Sequence, residues 1–253
     1  MLEIKELSIG LDEQHIVKHA SFLIKHGKIS TMIGESGSGK SLTLLAILGM
    51  LPKEMRVSGD ILFGVRSLFG MSVEELHSFR RDEVFVILQD AFNSFNPSVR
   101  LGKQLFALSE GKRTIGYSTF LERMSPIFSR LHLSNDVCEK YPFELSGGML
   151  QRCMIACALY KKPSLLIADE PTSGLDLYSQ KAFIKTVVEM NREMGTTIFL
   201  ITHDIDVVKE LADEVIVMFQ GAVVESGKSD ILLNSPKHSY TKQLVNSSFR
   251  MVE

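Results

Sequence analysis

Tryptophan is absent from this 253-residue chain, and only three cysteines occur, Cys138, Cys153 and Cys157. An odd number without CxxC spacing argues against a disulfide framework and against a structural zinc site. Cys153 and Cys157 stand four apart on a predicted helix. Met149, Leu150, Met154, Ile155 and Ala158 around them make that stretch an apolar core segment with free thiols instead. No apolar run approaches the roughly 18–20 residues that cross a bilayer. The opening Met1–Leu7 is too polar and too alternating for a secretory signal. The expected location is therefore cytoplasmic, with any membrane attachment supplied by something else. Charge of one sign is lacking too: 28 basic residues oppose 30 acidic ones, for a net charge of −2. No basic field advertises a nucleic-acid partner. Repeats, low-complexity tracts and long linkers are missing as well, so residues 1–253 read as one large domain with a substantial core.

What is present begins with Gly34-Glu35-Ser36-Gly37-Ser38-Gly39-Lys40-Ser41, which fits the phosphate-binding pattern GxxxxGK[ST]. Its three glycines let backbone wrap around phosphate oxygens where a side chain would obstruct. Successive N–H groups then form an anion nest at the positive end of the next helix. Lys40 can reach terminal phosphates, and the Ser41 hydroxyl can ligate Mg²⁺. The flanks agree: Lys28–Ile33 reads as a buried strand and Leu42–Leu48 as a buried helix stopped near Gly49 and Pro52.

Along the chain, Ile4, Leu7, Ile9, Ile16-Val17 and Phe22–Ile24 predict a small antiparallel layer, to which Val57–Phe63 adds a strand. Val84–Leu88 is a continuous apolar run and is predicted as a strand buried on both faces. From about 90 to 159 the spacing turns helical. Strands at Leu165–Ala168, Thr197–Ile201 and Val215–Phe219 then alternate with helices, which implies a parallel sheet covered on both faces.

Two further segments carry chemistry. The strand Leu165–Ala168 delivers Asp169 and Glu170 at its carboxyl end, where ligands bind in open α/β sheets. Asp169 is placed to hold Mg²⁺ and Glu170 to polarise an attacking water. In Leu145-Ser146-Gly147-Gly148-Met149, Ser146 caps an apolar helix and the doubled glycine permits close approach, making a second anion site. Two such helix ends far apart in sequence suggest that two copies sandwich a nucleotide.

In this order the segments resemble the ATP-binding subunit of an ABC transporter over essentially the whole chain. Gly34–Ser41 is similar to the family's Walker A, Leu166–Glu170 to its Walker B, and Leu145–Met149 to its LSGGQ signature, with Met149 in the last place. Gln89 falls where the family has its Q-loop glutamine, a contact to Mg²⁺ and water. Ser173–Asp176 matches the D-loop, and His203 matches the switch histidine that contacts the γ-phosphate. The resemblance implies an α/β P-loop NTPase of the ABC ATPase type. Its mostly parallel sheet would have helices on both faces, an N-terminal antiparallel β layer and an inserted helical subdomain. The RecA-like core would span about 1–89 and 160–253, and the helical subdomain about 90–159. ATP and Mg²⁺ are the implied cofactors. Gly34, Glu35, Ser36, Gly37, Ser38, Gly39, Lys40, Ser41, Ser146, Gly147, Gly148 and Asp176 would bind the nucleotide. Ser41, Gln89 and Asp169 would serve the metal, and Glu170, His203 and Gln89 the hydrolysis. One departure stands out: Gly10–Ile16 lacks the aromatic residue on which the family stacks adenine, leaving Leu11, His15 or Ile16 to meet the base.

Finer segments resemble the peptide and nickel importer branch. Gln89-Asp90 with Ser94-Phe95-Asn96-Pro97 is similar to that branch's Gln-Asp-Pro…Ser-Leu-Asn-Pro, with Ala91 for proline and Phe95 for leucine. Tyr141–Glu144 before the signature, Met149–Arg152 and Pro236–Thr241 also match. Peptide importers of this branch often carry a cysteine-containing extension past the last motif. The compact ending here looks closest to nickel or metal–metallophore importers. His238 reads as part of a helix start, because an ATPase subunit does not touch cargo. The implied partners are a second, related ATPase subunit, two membrane permease subunits and, indirectly, an extracytoplasmic substrate-binding protein. The chain would sit peripherally on the cytoplasmic face of the inner membrane. Phe92 and Phe95 beside Gln89 are candidates for permease contact or for core packing. A soluble ABC ATPase acting on ribosomes or DNA would need a second cassette or a long coiled coil, and the sequence has neither. A non-hydrolysing module would have degenerate motifs, and nothing needed for hydrolysis is missing here.

Overall fold

A computed structural model describes residues 1–110 and 115–249. Two sheets organise the chain. The first is antiparallel and combines β1 (Leu2–Leu11), β2 (Gln14–Ile24), β4 (Arg56–Phe63) and β5 (Arg66–Ser67) in the order β2-β1-β4-β5. On β2 the buried residues are Val17, Ala20, Phe22 and Ile24. Lys18 and His19 are both exposed where the register against β1 shifts, and buried and exposed residues alternate from Ala20 onward, as expected of a sheet with one wet face. The second sheet is the core of the molecule. It runs β10-β9-β3-β8-β7-β6, formed by β3 (Ile29–Ile33), β6 (Val84–Ile87), β7 (Leu165–Asp169), β8 (Thr197–Ile201), β9 (Glu214–Phe219) and β10 (Ala222–Lys228). All pairs are parallel except β9–β10. Every residue of β3 and β8 is buried, because helices or the first sheet cover both faces.

The helices divide between those faces. Helix α1 (Lys40–Ile47) buries Leu44 and Ile47 with Leu2, Ile4 and Ile9 of the antiparallel layer and Met32, Phe199 and Ile201 of the main sheet. After β4 and β5, the short α2 (Val73–Ser78) is fixed by a capping box between Ser72 and Glu75. Between β6 and β7 lie α3 (Leu101–Glu110), α4 (Tyr117–Arg130) and α5 (Gly147–Lys161). Leu105, Phe120, Met124, Phe128, Leu150, Cys153 and Cys157 of these three helices share a core with Phe85, Leu166 and Leu200 of the sheet. Helix α6 (Leu177–Met194) joins that core through Phe183 and Val187 and ends at Gly195, whose φ of +67° only glycine adopts cheaply. Helices α7 (Ile205–Leu211), α8 (Ser229–Asn234) and α9 (Ser239–Phe249) cover β9 with a third cluster containing Val208, Val217, Leu232 and Tyr240.

The α/β class, the antiparallel layer and the parallel strands are as the sequence patterns imply. One local expectation changes, one open alternative is divided between two residues, and one strand is new. Strand β6 stops at Ile87, and Leu88 is 46% exposed rather than part of a doubly buried strand. Phe95 is core, only 5% exposed, whereas Phe92 stays 46% exposed. The antiparallel edge strand β10 has no counterpart in the sequence reading.

The three thiols are free and buried. Burial pushes Cys138 up to about 11 and Cys157 up to about 12, and raises Cys153 as well. Iodoacetamide at neutral pH should therefore leave the native protein unlabelled and alkylate all three thiols in denaturant, as read by intact mass. Rapid labelling of the native chain would contradict this core.

Candidate active site

The phosphate loop links β3 to α1, and its glycines are required by close packing or by backbone conformation. A Cβ on Gly34 would stand 2.1 Å from the carbonyl oxygen of Met218 on β9. Gly37 and Gly39 take φ of +82° and +103°. Lys40 opens α1 and is buried, and its Nζ folds back to donate to the carbonyls of Gly34 at 2.7 Å and Glu35 at 2.8 Å. Burial lowers the Lys40 pKa, while the charges of Glu170, Asp169 and Glu35 act the other way and hold the ammonium.

Those acids arrive from β7, which is separated from β3 only by β8. Because the strands are parallel, the carboxyl end of β7 and the phosphate loop share one edge of the sheet. Burial raises the Asp169 pKa, with the Glu170 charge adding to it; Lys40 and a hydrogen bond from Ser41 oppose the rise. Glu170 leaves the strand in the left-handed region, at φ +47°, and its N–H donates to the Ile201 carbonyl at 2.8 Å. Its side chain is largely covered. Oε1 meets His203 Nδ1 at 2.9 Å, and Oε2 accepts from the Thr202 hydroxyl at 3.4 Å. His203 itself is mostly exposed at the rim. Gln89, just past β6, donates through Nε2 to Ser173 Oγ at 3.3 Å.

These groups line one cavity of about 660 Å³, within the range of small-molecule sites. Gly34, Glu35, Ser36, Gly37, Gly39, Lys40, Ser41, Gln89, Asp169, Glu170 and His203 all border it, with Ile16, Leu42 and Leu244 as its apolar lining. A loop of backbone donors, an ammonium and two carboxylates suit a polyphosphate and an ordered water. The Ser41 hydroxyl beside the Asp169 carboxylate is a hard oxygen pair that suits Mg²⁺.

Other expected residues stand elsewhere. Ser38 is buried and does not border the cavity. Ser146 caps α5, its Oγ accepting the Met149 N–H at 3.3 Å. A Cβ on Gly147 would meet the Phe92 ring at 3.3 Å. Asp176 caps α6, accepting the Ser179 N–H at 2.9 Å and its hydroxyl at 2.8 Å. None of Ser146, Gly147, Gly148 and Asp176 lines the cavity. Gly148 and Ser179 line a smaller cavity together, so the starts of α5 and α6 are neighbours. Sequence reasoning missed Leu244 of α9 on the cavity wall and Tyr240, whose Oη accepts the Glu35 N–H at 2.7 Å. The Pro236–Thr241 motif marked the place, but nothing in it pointed to a loop some 200 residues earlier.

Residues 17–173 match the family model described as ABC transporter. The chain is 34% identical over 251 residues to the metal-staphylopine import system ATP-binding protein CntD of Staphylococcus aureus, covering 98% of this chain and 93% of that protein. It is equally 34% identical over 257 residues to the oligopeptide transport ATP-binding protein OppD of Salmonella typhimurium, covering 99% of this chain and 77% of that one. Among solved structures, the dimeric post-hydrolysis state of an ATP-binding cassette bound to ADP and Pi matches with a TM-score of 0.78 at 26% identity. The match covers 90% of this chain and 99% of that one.

The loop geometry yields a paired test. Gly34→Ala should cost about 3 kcal/mol or more, because its Cβ collides with backbone. Gly37→Ala meets nothing within 4 Å and should cost only the left-handed penalty of about 1–2 kcal/mol. Denaturant melts giving equal losses would contradict the loop as described.

Proposed function

This chain belongs to the ABC transporter family, as the ATP-binding subunit of an importer that couples ATP hydrolysis to transport, and from that premise we propose that its cargo is nickel or a metal–metallophore complex. Two things support the cargo: the near full-length likeness to the metal-staphylopine protein, and the Tyr141–Arg152 run before and through the signature. The equal identity to OppD supports di- or oligopeptide import as the second reading.

The observation that carries the catalytic reading is the convergence of Lys40, Asp169, Glu170 and His203 on one cavity. In the proposed mechanism, ATP lays its phosphates along the loop, and Lys40 exchanges its carbonyl partners for phosphate oxygens. Glu170 is covered and held on both oxygens, so it can orient and deprotonate a water without reorganising. Its contact occupies His203 Nδ1 and leaves Nε2 for the γ-phosphate. Ser41 and Asp169, with Gln89 beside them, would hold Mg²⁺, which neutralises phosphate charge when bound.

Ser146, Gly147 and Gly148 stand apart from the cavity of their own chain, which supports a composite site. In it, the α5 start of a second, related ATPase subunit faces the phosphate loop, and Asp176 lies at the same junction. Two permease subunits would receive the motion through the region of Gln89 and the half-exposed Phe92, and an extracytoplasmic binding protein would deliver cargo to them. No helix among the described residues is long and apolar enough to cross a membrane. The chain would then sit peripherally on the cytoplasmic face, held there by the permease.

Two outcomes follow. Glu170→Gln should bind ATP with unchanged affinity and lose turnover by about 10²–10⁴-fold, measured by phosphate release; near-normal turnover would remove Glu170 from the base role. In a deletion strain, uptake of Ni²⁺ or of a metal–metallophore complex should fall while short-peptide uptake persists. The reverse pattern would transfer the chain to the peptide importers.

A further inference from the structure

The last helix reaches the nucleotide cavity twice, through Tyr240 on Glu35 and through Leu244, and no role assigned above accounts for it. Tyr240 Oη accepts the backbone N–H of Glu35 at 2.7 Å, while the carbonyl of the same residue accepts Lys40 Nζ at 2.8 Å. Glu35 is thus fixed on one side by the catalytic lysine and on the other by a residue 205 positions away. The tyrosine is itself well held. Its ring stacks on Phe219 of β9, centroids 4.1 Å apart and planes 22° from parallel. Its own N–H donates to His238 Nδ1 at 3.2 Å, and the segment before it is tied down where the Glu225 carboxylate accepts the N–H groups of Lys237 and His238 at 2.9 and 3.0 Å. Leu244, one turn further along α9, lines the cavity.

A phosphate loop works by holding its N–H groups in a fixed concave array. The glycines that let the loop wrap phosphate also leave its backbone free to adopt other conformations. Something outside the loop must restrict it. We infer that Tyr240 is a positioning residue for the phosphate loop, with α9 serving as a brace that sets the loop's first peptide from the far end of the chain. This inference rests on the nucleotide reading of the cavity. It adds that the loop is organised by a hydroxyl reaching it from β9's covering helix, and not by β3 and α1 alone. The loss of that hydroxyl should act on the phosphates and be blind to the base, because Tyr240 reaches the ligand only through the loop backbone.

The test compares Tyr240→Phe with the parent chain by two measurements. Removing only the hydroxyl leaves the Phe219 stack and the apolar packing of α9 intact. Hydrogen exchange without nucleotide should speed up over residues 34–39 and stay unchanged over β8 at the centre of the sheet. Affinities for ATP and GTP should fall by the same factor, about fivefold, which is the worth of one such hydrogen bond. Unchanged exchange over the loop would overturn the inference, as would unchanged affinity or a loss confined to one base. If exchange rises across the whole sheet, Tyr240 is a general stability residue and the inference also fails. Should the parent chain bind no nucleotide at all, the functional reading falls, while the exchange measurement still decides whether Tyr240 braces the loop.

Discussion

The site depends on parallel pairing among β3, β8 and β7. Leu165 pairs with Thr197 and Ile29 with Ile198, so the three strands start and finish nearly level. Their carboxyl ends deliver the phosphate loop, the Asp169–Glu170 pair and the Thr202–His203 turn to one edge. Shifting any of these strands by one residue would turn its side chains to the opposite face and dismantle the cavity. The electrostatics follow from that proximity. Two carboxylates brought under partial burial beside each other raise the Asp169 pKa, and Lys40 is the nearby cation that offsets them. Within the chain the lysine leans on the carbonyls of Gly34 and Glu35, partners that phosphate oxygens replace in the proposed mechanism.

Much of this was legible in the sequence, because each part is local. The Gly34–Ser41 pattern encodes loop conformation by glycine placement, and the apolar run before Asp169 encodes a buried strand whose end must emerge at an edge. Ser146 was readable as a helix cap by residue type, and it does cap, accepting from Met149; Asp176, read only within the Ser173–Asp176 match, caps as well, accepting from Ser179. What was not legible is contact between distant segments. Tyr240 reaches Glu35 only because β9 pairs beside β3 and α9 lies over it. The Gln89–Ser173 contact likewise joins loops that β6–β7 pairing brings together. Leu88 misled for a different reason: an apolar residue continues the strand pattern by composition, yet the ladder ends at Ile87 and leaves it in solvent. Phe92 and Phe95 share composition and spacing, and only packing separates the exposed ring from the buried one.

The same geometry is the basis of the proposed composite site. Its cavity has the phosphate loop, the carboxylates and the histidine, but the Ser146 helix end stands elsewhere on the surface, next to the Asp176 cap. On the composite reading proposed above, a second subunit would supply the remaining anion donors. The most direct measurement is ATP turnover per chain as the protein is diluted over several decades of concentration, with and without the partner subunits. Turnover that vanishes on dilution and returns on assembly is the expected result. Turnover per chain that stays constant on dilution would mean that one chain holds a complete site, contradicting the composite arrangement.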